Sequence, residues 1–250
     1  MNIQIASDFH IECFDKFNMS NFLIPSANIL VLCGDVGSLY KFNQLIDFFK
    51  EISPLYKKII YIPGNHEFYT IKDIPGVSFG LLMKRLYSLE KIISNLIILN
   101  RKAIVIKDYC FIGCILWSHC TDEQTFPRYR VKIHGFNKTK YNKYNKEDIE
   151  YIESIVKYCK FKNLKPVIIT HYPPTKKLLN DRYKDDNFQY LYANDLDHLL
   201  NKEDVHTWIC GHVHWCFDKY SEEGTRLIGN QKGKEKDKIQ NYSNKFVINL

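Results

Sequence analysis

The sequence lacks several features that mark particular classes of protein. Its eight cysteines are scattered, without a CxxC pair, and several lie inside apolar runs such as ILVLCGD and TWICGH. This pattern favours reduced thiols packed in the core of an intracellular protein over disulfides or a zinc knuckle. No apolar run approaches the roughly 20 residues that span a bilayer, and the start MNIQIASDFH does not have the form of a secretory signal. We therefore expect a cytoplasmic protein with no membrane span.

Internal repeats, Gly/Ser-rich linkers and breaks in composition are also missing from the 250 residues. With 45% hydrophobic and 14% aromatic residues, the chain can fill a substantial core, and we expect one domain over residues 1–250. The formal net charge of +7 favours anionic partners, such as phosphates, nucleotides, nucleic acid or a membrane surface, without choosing among them. The oligomeric state stays open.

Short apolar runs recur along the chain, and each ends in polar residues. Their length and their content of β-branched residues favour buried strands over helices. The main runs are 3–6, 29–32, 58–62, 96–99, 103–106, 110–117, 166–170, 207–210, 225–229 and 246–250.

Helical patterns lie between several of these runs. Residues 42–52 and 81–93 each place apolar side chains on one face. A third helix is predicted to begin at Asn145, which can cap it, and to end before Pro166. Strands that alternate with helices predict a largely parallel sheet covered on both faces, while the closer-spaced strands at 96–117 and after residue 207 indicate hairpins. The expected fold class is therefore α/β, with one domain built on two sheets.

Two segments do not fit this alternation. Residues 121–146 form a basic and aromatic insertion, which either holds phosphates and stacks bases or is a solvated surface loop. Residues 231–245, QKGKEKDKIQNYSNK, mix charges of both signs and are predicted to form an exposed loop.

Polar residues that bind metal cations follow five of the predicted strands directly. Ligands collect at the carboxyl ends of the strands in parallel α/β sheets, so we expect these groups to converge on one crevice. Any one motif is weak alone, but five in succession provide mixed oxygen and nitrogen ligands, enough for two divalent metals with positions open for water. The motifs are Asp8-Phe9-His10, Gly34-Asp35, Gly64-Asn65-His66-Glu67, His171 and Gly211-His212-Val213-His214.

The order DxH, GD, GNH(E/D), H, GHxH resembles the signature of the calcineurin-like metallophosphoesterases. This superfamily includes purple acid phosphatases, Ser/Thr protein phosphatases and DNA-repair nucleases. The match extends from Asp8 to His214, and every motif is intact. The resemblance implies a four-layer α/β/β/α sandwich with two central mixed β-sheets and a dinuclear metal centre in the crevice.

The resemblance also implies a role for each matching residue. The metals would be two divalent ions such as Mn, Fe or Zn, among which these ligand types do not choose. The ligands implied for the first metal are Asp8, His10 and His214, those for the second are Asn65, His171 and His212, and the bridging ligand is Asp35.

The implied reaction is hydrolysis of a phosphoester by a hydroxide that bridges the metals and attacks phosphorus in line. The resemblance makes His66 a residue that faces the substrate and protonates the leaving oxygen, which suits an imidazole with an ordinary pKa of about 6.5. Asp35 and His66 are therefore the catalytic candidates. Glu67 and Glu12 either orient a neighbouring group or are idle, exposed turn residues.

Looser matches indicate a small, poorly characterised branch of the superfamily whose N-terminus reads like ASDLHLE; the counterparts here are ASDFHIE, LWSHC, RYRVKI and GTRLIGNQKG. GDVGSLY lacks the GDxVDRG sequence of the protein Ser/Thr phosphatases, which disfavours protein dephosphorylation. The expected substrate is therefore a phosphomonoester or phosphodiester, either a nucleotide or a related small phosphate.

Three residues are candidates for binding that substrate. Arg128 and Arg130 are expected to clamp a phosphate at the rim of the crevice, and His119 either faces the crevice or lies on the surface. Two alternatives stay open at this point. One is a nuclease acting on DNA or RNA, for which the basic segment is the support, and the other is a catalytically inactive scaffold.

Overall fold

Two β-sheets pack face to face and carry helices on their outer faces. The computed structural model describes residues 1–121, 123–183 and 186–250. The first sheet has the strand order β11-β1-β2-β3-β4, in which β1 to β4 run parallel and β11 is antiparallel to β1. Its strands are β1 (Asn2–Ala6), β2 (Ile29–Cys33), β3 (Lys58–Ile62), β4 (Leu96–Ile98) and β11 (Val247–Asn249).

The second sheet has six strands in the order β5-β6-β7-β8-β10-β9. Its centre, from β6 to β10, is parallel, and antiparallel hairpins at both edges add β5 and β9. The predicted hairpins are therefore present as β5-β6 and β9-β10, but β4, which lies in the region 96–117 predicted to form a hairpin, pairs in parallel with β3 of the first sheet. The strands are β5 (Lys102–Ile106), β6 (Tyr109–Cys114), β7 (Lys165–Thr170), β8 (Thr207–Ile209), β9 (Phe217–Tyr220) and β10 (Arg226–Gly229).

The two sheets bury a shared layer of aliphatic side chains. Ile5 and Val31 of the first sheet belong to the same buried cluster as Val167 and Ile169 of the second. Because the central strands are covered on both faces, their sequences are continuous apolar runs, which is why the sequence predicts them well. The short strand β9 was missed because its sequence, FDKY, carries two charges and lies at a sheet edge.

Three helices cover the outer faces. Helices α1 (Phe42–Ile52) and α2 (Phe79–Ile92) pack on the first sheet, and α3 (Lys138–Lys162) packs on the second. The resulting layers confirm the predicted α/β/β/α sandwich with two mixed sheets. None of the helices among the described residues is long and apolar enough to cross a membrane.

Helix α3 begins earlier than the sequence predicts. The side chain of Asn137 accepts a hydrogen bond from the backbone N–H of Lys140 at 2.9 Å, so Asn137 is the N-terminal cap. Asn145, the predicted cap, lies inside the helix, where its buried amide donates to the carbonyl of Trp117 and to Oδ1 of Asn194. The helix therefore includes the last nine residues of the segment that the sequence analysis assigned to an insertion.

Two aromatic residues of segment 121–146 do not fit the alternative of a solvated surface loop. Phe136 and Tyr141 are buried, and each ring centroid lies 5.6 Å from that of Trp117. These side chains contribute to the core between α3 and the first sheet, while Asp122 of the same segment lies outside the described residues.

Replacing the observed cap should destabilise the protein modestly. We expect Asn137→Ala to lower the free energy of unfolding by about 1 kcal/mol, because the N–H of Lys140 loses its acceptor. Urea denaturation followed by circular dichroism measures this change. The exposed helix residue Glu51→Gln serves as the control, expected within about 0.5 kcal/mol of the wild type. An Asn137→Ala protein as stable as that control would contradict the assignment of the cap.

Candidate metal centre

The predicted ligands converge where strands of both sheets end. Asp8 and His10 follow β1, Asp35 follows β2 and Asn65 follows β3, while the second sheet contributes His171 after β7 and two histidines after β8. Most of these side chains are buried, and those of Asp8, His10 and His171 have no solvent exposure. The sandwich therefore brings all seven predicted ligands to one edge.

Tight backbone turns are what aim these side chains. Five residues have positive φ in this region: Asp8, His10, Asp35, His212 and His214, at 58°, 51°, 52°, 75° and 47° respectively. Non-glycine residues adopt this conformation rarely, and such strain is concentrated at functional sites. Gly34 has a φ of 86°, and a Cβ there would lie 2.5 Å from Nδ1 of His171, so the turn needs glycine.

The carboxylate of Asp35 lies between two groups of ligand atoms. Its Oδ1 is 3.3 Å from Nε2 of His171, and its Oδ2 is 3.9 Å from Nε2 of His10. The backbone N–H of His66 donates to Oδ1 at 2.8 Å and holds the carboxylate in this orientation. Asp35 can therefore contribute one oxygen to each group.

Ligand atoms within each group lie within 4.8 Å of one another. In the first group, Nε2 of His10 is 3.0 Å from Nε2 of His214, which is 3.4 Å from Oδ1 of Asp8. Asn65 lies beside the second group, with its Oδ1 2.9 Å from Nε2 of His171. The first group comprises Asp8, His10, Asp35 and His214, and the second comprises Asp35, His171 and His212.

Hydrogen bonds at the far side of each ring select the nitrogen that faces the centre. Nδ1 of His171 donates to the carbonyl of Cys33 at 2.8 Å, Nδ1 of His214 to Asp237 at 2.6 Å, and Nδ1 of His10 to Glu12 at 3.3 Å. Each ring therefore presents Nε2 to the centre, as metal-binding histidines do when a second partner fixes the tautomer.

His212 is oriented the other way round. Its Nε2 lies 3.3 Å from the carbonyl of Leu191, whereas its buried Nδ1 has no hydrogen-bond partner among the described residues. A buried nitrogen without a partner is costly unless something binds it. The unpartnered nitrogen and the mixed oxygen and nitrogen donors fit two divalent metal ions.

Charges inside the centre shift the pKa values of its histidines in opposite directions. Burial alone would lower the pKa of His171, but the charge of Asp35 and a hydrogen bond to it raise that pKa to about 9. The carboxylates of Asp237 and Asp8 likewise outweigh burial and raise the pKa of His214 to about 9. Burial dominates elsewhere and lowers the pKa of His10 to about 4 and that of His212 to about 3.

Glu67 supports the turns that carry the ligands. The sequence leaves it as a residue that either orients a neighbour or is exposed and idle, and the structure excludes the exposed alternative because Glu67 is fully buried. Its carboxylate accepts hydrogen bonds from the backbone N–H groups of Asp35, Val36 and Gly64 and from the hydroxyl of Tyr61. Burial and the charge of Asp35 raise its pKa to about 8.

Glu12 is likewise not idle. Its Oε1 accepts hydrogen bonds from Nδ1 of His10 at 3.3 Å and from Nδ1 of His66 at 3.1 Å. Burial would raise its pKa, but these two hydrogen bonds prevail and lower it to about 2. The carboxylate therefore holds His66 with Nδ1 towards the protein, and Nε2 of His66 lies 3.3 Å from Nζ of Lys234.

A cavity of about 430 Å³ opens in front of the centre. Arg130 lines it, as predicted, and its guanidinium contacts the hydroxyl of Tyr192 at 2.5 Å and Asp186 at 3.5 Å. Arg128 lines a neighbouring groove instead, so the structure does not place it at the rim as predicted. His119 is exposed, which agrees with the surface position that the sequence leaves open for it. The backbone turns at Pro127, whose carbonyl accepts from the N–H of Arg130, and the two arginines therefore point in different directions.

The segment 231–245 supplies cavity residues that the sequence analysis missed. Lys234, Lys236 and Asp237 line the cavity. Glu235 and Lys236 are exposed, as predicted, whereas Lys234 and Asp237 are partly buried. The hydrogen bond from His214 to Asp237 outweighs burial and holds the pKa of Asp237 well below its usual range. The charges of both signs in this segment indicate ion pairs, which a solvated loop does not need. The partners of these charges lie far away in the sequence, so the sequence does not identify them.

A family model described as calcineurin-like phosphoesterase matches residues 1–216. The chain belongs to the calcineurin-like phosphoesterase family. It is therefore a metal-dependent hydrolase that acts on phosphoester bonds, and the ligand groups around Asp35 are the candidate dimetal site of this phosphoesterase.

Individual proteins are similar to this chain in sequence or in fold. An uncharacterized protein of Acanthamoeba polyphaga mimivirus is 29% identical over 92% of this phosphoesterase and 90% of its own length. The crystal structure of a phosphopantetheinyl hydrolase from Mycobacterium tuberculosis superimposes with a TM-score of 0.71 at 14% identity, covering 94% of this chain and 90% of that one. A dimetal phosphatase from Danio rerio gives a TM-score of 0.59 at 12% identity, covering 91% and 86%. At these identities the two structures show the shared fold.

Removing the acceptor capacity of Glu67 should loosen the turns on which the centre depends. In Glu67→Gln an amide nitrogen replaces one oxygen, so at least one buried backbone N–H loses its acceptor. We expect the free energy of unfolding to fall by about 2 kcal/mol, measured by urea denaturation in the presence of EDTA. Glu51→Gln, an exposed change of the same type, is the control. Equal stability of the two variants would contradict this structural role.

Metal uptake should depend on pH in a defined direction. In the metal-free protein His171 and His214 have pKa values of about 9, so both carry protons at pH 7 and lose them as the pH rises. A metal competes with these protons. As the pH falls from 9 to 6, the affinity for the metal should weaken by about tenfold per pH unit for each proton displaced. Titration calorimetry of Mn²⁺ in two buffers of different ionisation enthalpy measures the protons released; an affinity that stays constant over this range would contradict the prediction.

Proposed function

We propose that this phosphoesterase hydrolyses a phosphomonoester or phosphodiester of a nucleotide or related small phosphate at a centre of two divalent metal ions. The observation that supports the centre most directly is the carboxylate of Asp35, with one oxygen towards His171 and the other towards His10. Such ions, when bound, lower the pKa of a water molecule and neutralise charge on the phosphate oxygens.

The chain's own residues would divide the binding of these ions as their positions suggest. The carboxylate of Asp35, which belongs to both groups, would be shared by the two ions, and the ions would supply positive charge to a bound phosphate. The proposed ligands are Asp8, His10 and His214 for the first ion, Asn65, His171 and His212 for the second, and Asp35 for both.

His66 is the proposed proton donor to the leaving oxygen. Its side chain is 22% exposed and lines the cavity, and its Nδ1 is already committed to Glu12. The hydrogen bond from Nδ1 to Glu12 fixes the orientation of the ring and leaves Nε2 facing the cavity, the arrangement that general acid catalysis requires. Glu12 thus acts as a positioning residue for His66. The chain lacks the GDxVDRG sequence and the aspartate in it.

The size and lining of the cavity support a small substrate. A volume of about 430 Å³ is within the range of small-molecule sites, roughly 300–1,000 Å³. Exposed lysines of α3 offer less support for a nuclease than the sequence indicates, because Lys143 and Lys146 pair with Glu147 and Glu150 at 3.7 Å. Phosphopantetheinyl compounds belong among the small phosphates to be tested, given the substrate named for the M. tuberculosis hydrolase.

Substitutions in the centre and at His66 should separate metal binding from proton transfer. We expect Asp35→Asn and His212→Ala to abolish turnover with loss of bound metal, and His66→Ala to lower kcat by about 100- to 10,000-fold with metal content unchanged. The assay is a Mn²⁺-supplemented screen of nitrophenyl mono- and diesters, nucleotides, phosphopantetheine and single-stranded oligonucleotides, with metal content measured in parallel.

His198→Ala is the matched control, because this exposed histidine pairs only with Glu153 among the described residues. Wild-type rates in Asp35→Asn or His212→Ala would overturn the proposed centre. Turnover restricted to oligonucleotides, with steep dependence on salt, would replace the small-phosphate substrate by a nuclease substrate.

A further inference from the structure

Lys234 is fastened to the candidate metal centre through its own backbone. Its N–H donates to Oδ2 of Asp237 at 2.8 Å, and the same oxygen accepts from Nδ1 of His214 at 2.6 Å. Two residues earlier, the N–H of Lys232 donates to the carbonyl of Ser7 at 3.0 Å. The segment around Lys234 therefore lies in a fixed position beside two turns that carry proposed ligands.

The side chain of Lys234 faces the cavity, and no described residue offers it a carboxylate within 4.0 Å. Its Nζ lies 3.3 Å from Nε2 of His66. When Nε2 carries the proton that it is proposed to donate, it cannot accept a hydrogen bond from Nζ, and the three donors of the ammonium are then open to a ligand. Arg130, by contrast, already contacts Asp186 and Tyr192 on the opposite chain segment.

The position of Lys234 identifies the part of a substrate that it can reach. If His66 Nε2 lies at the leaving oxygen, as in the proposed function on which this inference rests, Lys234 Nζ lies beside whatever atom carries that oxygen. In a simple ester that atom is carbon, which offers an ammonium nothing to bind. In a phosphoanhydride it is a second phosphorus, whose non-bridging oxygens are acceptors for a cation.

We propose that Lys234 forms an anion subsite for a phosphate attached directly to the leaving oxygen, so that phosphoanhydrides such as nucleoside diphosphates are the preferred substrate class. In the reaction a water oxygen forms a bond to the terminal phosphorus and releases one proton to the solvent, while the bridging P–O bond breaks. The electron pair stays on the bridging oxygen, which takes a proton from His66 as the nucleoside monophosphate departs, and Lys234 neutralises the charge of that leaving phosphate.

The test compares substrates that differ by one phosphate. ADP releases AMP and AMP releases adenosine, so only ADP places a phosphate at Lys234. We expect Lys234→Met to lower kcat/KM for ADP by about 10- to 100-fold, and for AMP by less than about threefold, because one charge-assisted interaction is lost. Lys234→Arg keeps the charge and should recover most of the activity on ADP.

Binding supplies a readout that does not depend on turnover. The dissociation constant of α,β-methylene ADP, which cannot be cleaved between its phosphates, should rise by about 10- to 100-fold in Lys234→Met. That of inorganic phosphate, which occupies only the metal side, should change by less than about threefold. Lys238→Met is the control, because Lys238 belongs to the same segment but does not line the cavity.

Three outcomes would count against the subsite. Equal losses on ADP and AMP, an unchanged affinity for the methylene analogue, or equal effects of Lys234→Met and Lys238→Met would each overturn it and leave the proposed function intact if the wild type shows metal-dependent turnover. A metal-loaded wild type that hydrolyses no phosphate ester or anhydride would instead overturn the proposed function, and this inference with it.

Discussion

The carboxylate of Asp35 is the point on which the centre depends. It is 1% exposed and lies between His171, which follows β7, and His10, which follows β1, so it links the two sheets. Burying a carboxylate is unfavourable by itself, but the charges of His171 and His66 outweigh burial and hold its pKa well below the usual range. A buried negative charge surrounded by imidazoles favours the binding of metal cations at this place.

Around this point the protein uses carboxylates at three levels. Asp35 and Asp8 lie in the centre, Glu12 and Asp237 orient histidines from behind, and Glu67 holds the backbone of two turns. Glu12 and Asp237 decide which imidazole nitrogen of His10 and His214 faces inwards, because each accepts a hydrogen bond from Nδ1. Such partners govern metal affinity nearly as much as the ligands themselves.

The sequence predicts the strands, the order of the motifs and the candidate ligands. Continuous apolar runs such as ILVLC report strands buried on both faces, and the polar residues directly after them report the functional edge. Local signals were less reliable at boundaries: Asn137 and Asn145 are both plausible caps by residue type, and only packing against Trp117 shows that the second lies within the helix.

The tertiary structure decides what the polar residues outside the motifs do. Glu67 belongs to the motif Gly64-Asn65-His66-Glu67, but the sequence does not assign its role, because the three N–H groups that donate to it come from two different strand ends. Lys234 and Asp237 lie in a segment that looks like a solvated loop, and their partners His66 and His214 are 168 and 23 residues away. The sequence by itself therefore predicted the α/β fold class from local apolar runs, and the candidate ligands from polar motifs at strand ends and their resemblance to a family signature. Only the tertiary structure decided which charges surround the substrate, because those contacts join distant segments that no local pattern connects.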